Sequence, residues 1–386
     1  ITMAQYAPRN PDYLSNTLTG TLESKWIKSP KSVKYSIILP PNHDKSRSEP
    51  YPLILSLHPG MADRDHLIDP NGAARTGRDV SHDRPVVWVS FSNADGDGSS
   101  ECGMYMDTFD GLDNWINFVV DDLIPFMEQN YNCGGQQKYR YVTGMCMGGL
   151  GALKFAFQHP HLFAAIVAQQ PAMPTGVSGD DLPYNDRMDI GGPAGVSGQS
   201  DHSLVAMYGT QTFATTDNDF FRKNISPIAM AIDNAENIRK SKLKIYIDVG
   251  DEDIFNLQNA AELLHRVLWS NRIRHEYHLV HGGDHGGSSW RRRGPEAMDF
   301  LWREMENAID PQLTTEEVVW IEWVKGGRKE GEEPPLKKEI KDEYIGGFSF
   351  SDKPIVYMAA VMNIEKGDDV VMDGPEKMMG YKWRNK

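Results

Sequence analysis

A cysteine on a glycine-rich turn is the residue of this chain best suited to covalent chemistry. Residues 143–151 read TGMCMGGLG, with Cys146 at the centre and glycine two positions to either side, at Gly144 and Gly148. Small residues at these positions let a side chain stand on a sharp strand-to-helix turn without clashes. The pattern is Gly-x-Ser-x-Gly with sulfur in place of oxygen, so we predict a nucleophile. The alternative is a buried cysteine that acts only as a small apolar side chain.

A nucleophile on such a turn needs a histidine base and an acid that orients it, and the acid precedes the histidine in the chain. The run IYIDVG, which is typical of a strand, leads to our preferred acid, Asp253, with Asp251 as the alternative. A later glycine-rich loop carries our preferred base, His285, with His281 as the alternative. We therefore predict a triad of Cys146, Asp253 and His285.

Backbone N–H groups must stabilise the oxyanion that forms when the nucleophile attacks a carbonyl carbon. Met147, directly after the cysteine, is expected to supply one donor. The loop after the first buried strand should supply the other; Pro59 has no N–H, so Gly60 or Met61 must donate. His58 in this loop is expected to form a structural hydrogen bond or to contact substrate, rather than to act as the base.

One aromatic side chain near the predicted pocket is a further candidate for substrate binding. Trp290 closes the histidine loop and could pack on substrate, although a place in the core fits its chemistry equally well. Nothing in the sequence near it specifies an acyl chain, a sugar or a lactone.

Alternating strands and helices must position these side chains. Short apolar or β-branched runs predict strands at 33–39, 53–57, 86–89, 139–143, 164–168, 243–249 and 277–280. Apolar residues at helical spacing predict helices at 114–130, 148–158, 257–270 and 295–308. Pro295 is expected in the first turn of the last helix. The alternation predicts an α/β fold with a mostly parallel central sheet flanked by helices.

The composition divides the chain into a catalytic domain and an extension. We expect residues 1–310 to form the catalytic domain, with a lid-like insertion at about 171–225 that is rich in Gly, Pro, Asp and Ser. A plain surface loop is the alternative for this insertion. Residues 311–386 are expected to form a small β-rich C-terminal extension, with strand-like runs at 318–324 and 355–361.

The overall charge excludes several classes of partner. The 386-residue chain carries a formal charge of −14 and has no basic stripe, which argues against nucleic acid and anionic membranes. No apolar run reaches the roughly 18–20 residues that span a bilayer. Acidic and histidine-containing segments lack the spacing of metal ligands, so we expect neither a metal ion nor a cofactor. The sequence does not indicate an oligomeric state.

Three weak signals favour a secreted or periplasmic location over the cytoplasm. The chain begins at Ile1, as after removal of a leader or at a chosen boundary. Asn224 begins a glycosylation sequon, a pattern that is frequent by chance. Cys102 and Cys133 are a possible disulfide pair, but three cysteines are too few for a disulfide scaffold.

From about residue 35 to residue 302, the chain resembles the α/β-hydrolase fold, and within it the esterase D-like group. That group includes S-formylglutathione hydrolases and feruloyl esterases. The resemblance is carried by LHPG at 57–60, by the cysteine turn, by GDED at 250–253 and by GDH at 283–285. It implies the same triad as the residue patterns, and a small-molecule ester, thioester or lactone as substrate.

Two positions depart from the family pattern. Pro59 follows His58 where the family usually has glycine, and Cys146 stands where the family usually has serine. Dienelactone hydrolases resemble this chain in using cysteine on a similar turn. Two explanations of the sulfur therefore remain open, a natural thiol nucleophile and a cysteine that replaces serine; the serine-like Met-Gly-Gly flank favours replacement.

These observations predict a carboxylic-ester hydrolase that works through a covalent acyl-enzyme. The alternatives are a lactonase of the dienelactone hydrolase type, an acyltransferase that uses the same triad, and a binding protein that has kept the fold without the activity. The complete order of nucleophile, acid and histidine argues against the last of these.

Overall fold

The computed structural model describes residues 16–28, 32–68, 74, 84–93, 104–108, 111, 113–173 and 218–309. Within these ranges, eight strands form one sheet. Numbered in chain order, they are β1 Thr17–Glu23, β2 Ser32–Ile38, β3 Leu53–Leu57, β4 Val87–Phe91, β5 Arg140–Met145, β6 Ala165–Gln169, β7 Lys244–Gly250 and β8 Glu276–Val280.

The sheet is parallel over most of its width. The strands lie side by side in the order β1-β2-β4-β3-β5-β6-β7-β8. β2 pairs antiparallel with both β1 and β4, and every pair from β4 and β3 across to β7 and β8 is parallel. The predicted mostly parallel sheet is therefore confirmed. β1 was not predicted, because none of its residues is buried and no apolar run marks it.

Helices flank the sheet. α1 starts as a turn at Trp115–Asn117, continues as a π-helix over Phe118–Leu123 and ends as an α-helix over Ile124–Tyr131. The later helices are α2 Met147–Gln158, α3 Asn218–Asn224, α4 Pro227–Asp233, α5 Ala235–Ser241, α6 Leu257–Ser270 and α7 Trp290–Ile309. None of the helices in the described ranges is long and apolar enough to cross a membrane.

Each face of the sheet has its own hydrophobic cluster. Along β3, Leu53, Leu55 and Leu57 pack into one cluster and Ile54 into the other, as the alternation of a pleated strand requires. The first cluster includes the apolar sides of α1, α2, α4 and α6, and the second includes that of α7. Burial on both faces explains why the central strands read as unbroken apolar runs.

The parallel strands bring the predicted site residues to one edge of the sheet. The carboxyl ends of β5, β7 and β8 meet there, and Cys146, Asp253 and His285 lie in the segments that follow these three strands. This is the edge at which open α/β sheets bind ligands.

The start of α7 differs from the prediction. The helix begins at Trp290 rather than at Pro295, which therefore lies inside the helix and not in its first turn. The N–H groups of Arg292 and Arg293 donate to the carbonyl of Ser289, at 3.1 Å each, and these bonds start the helix upstream of the proline.

Cys133 does not form the disulfide considered above. Cys133 is a buried free thiol whose sulfur donates to the carbonyl of Met127 at 3.4 Å. Cys102 lies outside the described residues.

Large parts of two predicted segments lie outside the described residues. They are residues 174–217 of the lid-like insertion and the whole extension, 311–386. The chain divides into two units, 1–310 and 311–386, and every described residue belongs to the first. The predicted domain organisation stays a prediction.

Candidate active site

Cys146 stands on a strained turn between β5 and α2. Its φ of 55° and ψ of −116° are unusual for a residue with a side chain, and the residue is only 5% exposed. The turn is held from β6, because the N–H of Cys146 donates to the carbonyl of Gln169 at 2.9 Å. The N–H of Ala172 in turn donates to the carbonyl of Cys146 at 3.0 Å.

The two glycines that flank the turn are required by close backbone contacts. A β-carbon on Gly144 would collide with the carbonyl group of Gly148, and one on Gly148 would collide with the carbonyl group of Leu57. The absence of side chains therefore lets α2 start directly beside the ends of β5 and β3.

Asp253 and His285 form a buried pair. The Nδ1 atom of His285 lies 2.7 Å from Oδ2 of Asp253, whose side chain is fully buried, while that of His285 is 11% exposed. The other carboxylate oxygen, Oδ1, accepts the N–H of Phe255 at 2.8 Å. The Phe255 ring packs edge-on against the imidazole, with centroids 4.8 Å apart. These contacts fix the orientation of the ring.

The imidazole of His285 also hydrogen-bonds the sulfur of Cys146. Because Nδ1 is bonded to Asp253, Nε2 is the ring nitrogen left for the sulfur. Burial lowers the pKa of His285, but the hydrogen bonds to Asp253 and Cys146 outweigh burial and raise this pKa to about 9. The ring therefore carries a second proton at neutral pH.

The alternative acid and the alternative histidine bond to each other at the surface. Nδ1 of His281 lies 2.9 Å from Oδ2 of Asp251, and the His281 side chain is fully exposed. The N–H of Gly282 donates to the other Asp251 oxygen at 2.7 Å. This second pair closes the turn after β8 and faces solvent, whereas the pair of Asp253 and His285 is the one that contacts the sulfur.

The predicted oxyanion donors lie at the start of α2 and in the turn after β3. Met147 is the first residue of α2, so its N–H has no acceptor within the helix. Gly60 and Met61 form the turn after β3, and the register pairs the last residue of β3, Leu57, with Gly144 of β5. Met61 adopts a positive φ of 62°. The donor roles themselves stay predictions.

His58 is fully buried and bonded through both ring nitrogens. Nδ1 lies 2.8 Å from the carbonyl of Pro59, and Nε2 lies 3.3 Å from the backbone N of Asn93. Burial lowers the pKa of His58 to about 4, so the ring is neutral, with Nδ1 as donor and Nε2 as acceptor. The hydroxyl of Tyr105 accepts the backbone N–H of His58 at 2.8 Å. These contacts favour a structural role for His58, and its predicted contact with substrate stays a prediction.

Trp290 begins α7 and is half-buried. Its N–H donates to the carbonyl of Gly287 at 3.2 Å, which ties the start of the helix to the histidine loop. Its predicted contact with substrate stays a prediction.

A buried ion pair that the sequence analysis missed joins the histidine loop to the sheet. Arg293 and Asp248 are both fully buried, with the guanidinium 3.1 Å from the carboxylate. Nη1 of Arg293 donates to the carbonyl of Asp284 at 2.9 Å, and Gln169 donates its side-chain amide to Asp248 at 2.8 Å. The pair therefore links the residue before His285 to the strand that holds the cysteine turn.

Burial and the groups bonded to Asp248 act in opposite directions on the pKa of this carboxyl. Burial raises the pKa of Asp248 to about 6, although Arg293 and Gln169 act in the opposite direction. Asp248 is thus ionised at neutral pH. Two features of the sequence could have revealed the pair. Asp248 is a charged residue inside an otherwise apolar strand, and an arginine run at 291–293 follows later in the chain.

The described ranges contain no group of three or more His, Cys, Asp or Glu side chains that could hold a metal ion. The site brings together a thiol, an imidazole and a carboxylate. Such a set can attack a carbonyl carbon, move a proton and keep the imidazole oriented.

Comparison with known families places the chain. A sequence model of the family described as "Putative esterase" matches residues 28–298. The chain belongs to this esterase family. Two relatives from Mycobacterium tuberculosis, Esterase Rv1288 and Esterase MT1326, are each 30% identical to it over 129 residues. That match covers 33% of this chain and only 27% of each relative's length.

Solved structures show the same fold. A ferulic acid esterase superimposes with a TM-score of 0.56 at 19% identity, over 75% of this chain and 97% of the other. S-formylglutathione hydrolase FrmB from Staphylococcus aureus gives a TM-score of 0.52 at 14% identity, over 74% of this chain and 98% of the other. The S-formylglutathione hydrolase from Agrobacterium tumefaciens gives a TM-score of 0.52 at 16% identity, over 75% of this chain and 94% of the other. The expected α/β-hydrolase fold is confirmed.

The buried ion pair generates a stability prediction. Arg293→Met leaves the Asp248 carboxylate buried without its cation, so we expect the free energy of unfolding to fall by about 3–5 kcal/mol. The double variant Asp248→Asn, Arg293→Met removes both charges and should recover part of this loss. Urea unfolding followed by circular dichroism measures both.

Arg140 supplies the matched control. It pairs with Glu128 at 2.6 Å, but both side chains are partly exposed, at 16% and 22%. Arg140→Met should cost about 1 kcal/mol or less. An equal loss in Arg293→Met and Arg140→Met would contradict the importance given to burial of the Asp248 pair.

Proposed function

We propose that this protein is a carboxylic-ester hydrolase that forms a covalent acyl-enzyme on Cys146. One observation carries the proposal: the imidazole of His285 lies 2.7 Å from the Asp253 carboxylate and also hydrogen-bonds the Cys146 sulfur. Membership of an esterase family supports ester bonds as the target.

In the proposed first half-reaction, His285 holds the proton of Cys146 as an imidazolium, and the thiolate attacks the ester carbonyl carbon. The carbonyl oxygen becomes an oxyanion, which accepts hydrogen bonds from the N–H of Met147 and from the loop of Gly60 and Met61. The C–O bond of the ester then breaks, and His285 returns its proton to the leaving alcohol. Asp253 keeps the imidazole in one tautomer.

Water completes the second half-reaction. His285, now neutral, takes a proton from a water molecule as its oxygen attacks the thioester carbon. The C–S bond breaks, the carboxylic acid leaves, and the proton stays on His285 beside the regenerated thiolate. The start of α2 favours the negative charges that form at Cys146 and on the oxyanion.

Removal of the sulfur tests the nucleophile. Cys146→Ala should lower kcat for p-nitrophenyl butyrate by at least about 10³-fold, because no covalent intermediate can form. Release of p-nitrophenolate at neutral pH measures the rate.

Cys133 supplies the control, because it is also a buried free cysteine but lies two residues beyond the end of α1. Cys133→Ala should retain activity within a few-fold. Loss of activity in both variants, or in neither, would contradict a nucleophilic Cys146. Cys146→Ser distinguishes the two explanations of the sulfur: a large gain in turnover supports replacement of serine, and a loss supports a natural thiol.

The raised pKa of His285 predicts an alkaline limit of activity. The protonated ring is needed to protonate a poor leaving group, so kcat/KM for ethyl butyrate should fall as the pH rises through about 9. p-Nitrophenyl butyrate, whose leaving group needs no proton, should lose less. Asp253→Asn removes the hydrogen bond that most raises this pKa and should move the limit to lower pH, besides lowering the rate.

A pH-stat titration of ethyl butyrate hydrolysis measures the limit. Asp251→Asn is the control, because Asp251 bonds the exposed His281 instead. An alkaline limit that does not move in Asp253→Asn, or that moves equally in Asp251→Asn, would contradict the role given to the buried pair.

A further inference from the structure

The side-chain amide of Gln170 is buried beside the candidate site. Gln170 directly follows β6 and is fully buried. Within the described part of the chain, neither its side-chain oxygen nor its side-chain nitrogen has a hydrogen-bond partner. Nearly all buried amides are bonded, because the loss of hydration is costly, so an exception calls for a specific explanation.

The backbone of Gln170 is also strained. Its φ is 41°, in the left-handed region that a glutamine rarely adopts. The conformation is held by a short hydrogen bond from the Gln170 N–H to the carbonyl of Asp248, at 2.6 Å. Two costly features therefore coincide in one residue, a combination that is typical of functional sites.

The amide lies between the segments that carry the nucleophile and the base. Its nitrogen is 3.8 Å from the point where a β-carbon on Gly286 would stand, directly after His285. The terminal methyl of Met145, directly before Cys146, is 2.6 Å from the same point. The register of β5 and β6, which pairs Met145 with Gln169, also brings Gln170 level with Cys146.

We propose that Gln170 is a specificity-determining residue, whose amide hydrogen-bonds a hydroxyl group that the substrate carries close to the scissile ester. An amide offers both a donor and an acceptor, and a hydroxyl group can satisfy both. The substrate class is then a hydroxylated ester rather than a simple alkyl ester. This inference rests on the proposed ester hydrolysis.

A matched pair of substrates tests the proposal. The rates are compared for ethyl butyrate and for its 2-hydroxy and 3-hydroxy derivatives, in the wild-type protein and in Gln170→Leu. We expect the wild type to prefer a hydroxylated ester. In Gln170→Leu, the ratio of kcat/KM for that ester to kcat/KM for ethyl butyrate should fall by about tenfold, while ethyl butyrate itself keeps its rate or gains.

Gln170→Asn provides a second test in case Gln170→Leu does not fold. Asparagine adopts positive φ more readily than glutamine, so we expect this variant to keep the fold. Its side chain is one methylene shorter, so its amide should not reach the hydroxyl group of the substrate. The same fall in selectivity is expected.

Melting temperatures distinguish backbone strain at Gln170 from a role of its amide in binding substrate. Gln170→Gly and Lys242→Gly both relieve a positive φ, which is 61° at the exposed Lys242 that ends α5. Both variants should melt at a higher temperature than the wild type. Only Gln170→Gly should also lose selectivity for the hydroxylated ester.

Three results overturn the inference. One is a wild type with no preference for either hydroxylated ester. Another is an equal fall in Gln170→Leu on all three esters, as expected if the amide binds only the hydrolytic water. The third is an equal loss of selectivity in Lys242→Gly. A wild type that hydrolyses none of the three esters, nor p-nitrophenyl butyrate, would instead count against the proposed function itself.

Discussion

The close packing of backbone around Gly148 is the constraint on which the rest of the site depends. A β-carbon there would strike the carbonyl group of Leu57, so only glycine lets α2 begin beside the end of β3. This approach brings the start of α2, directly after Cys146, beside the end of β3, which the loop of Gly60 and Met61 follows. The strain at Cys146 is offset by hydrogen bonds from the end of β6, which hold the turn from its other side.

The histidine loop is fixed to the same frame by buried polar groups rather than by apolar packing. Asp248 and Arg293 join the ends of β6 and β7 to the carbonyl of Asp284, the residue before His285. Buried charges of this kind contribute little net stability, but removing one partner is costly, so they hold a loop in one arrangement. The sulfur and the imidazole therefore meet although they lie far apart in the sequence.

The sequence predicted what local pattern can encode. The apolar runs located the central strands, and the glycines around Cys146 marked its turn. The choice between Asp253 and Asp251 could not be settled locally, because both follow the same strand; burial of one pair and exposure of the other distinguish them. Arg293 was missed because its partner lies on a distant strand, and the start of α7 because Pro295 indicated a later beginning. The side-chain amide of Gln170, which bonds none of the described residues, has no sequence signature.

Identification of the acylated atom tests the central claim most directly. The protein is mixed with p-nitrophenyl butyrate, quenched in acid within the first turnover and digested, and the modified peptide is sequenced by mass spectrometry. The account predicts a butyryl thioester on Cys146, which hydroxylamine removes, and its absence in Cys146→Ala. A butyryl group on another residue, or rapid ester hydrolysis in which Cys146 is never acylated, would contradict it.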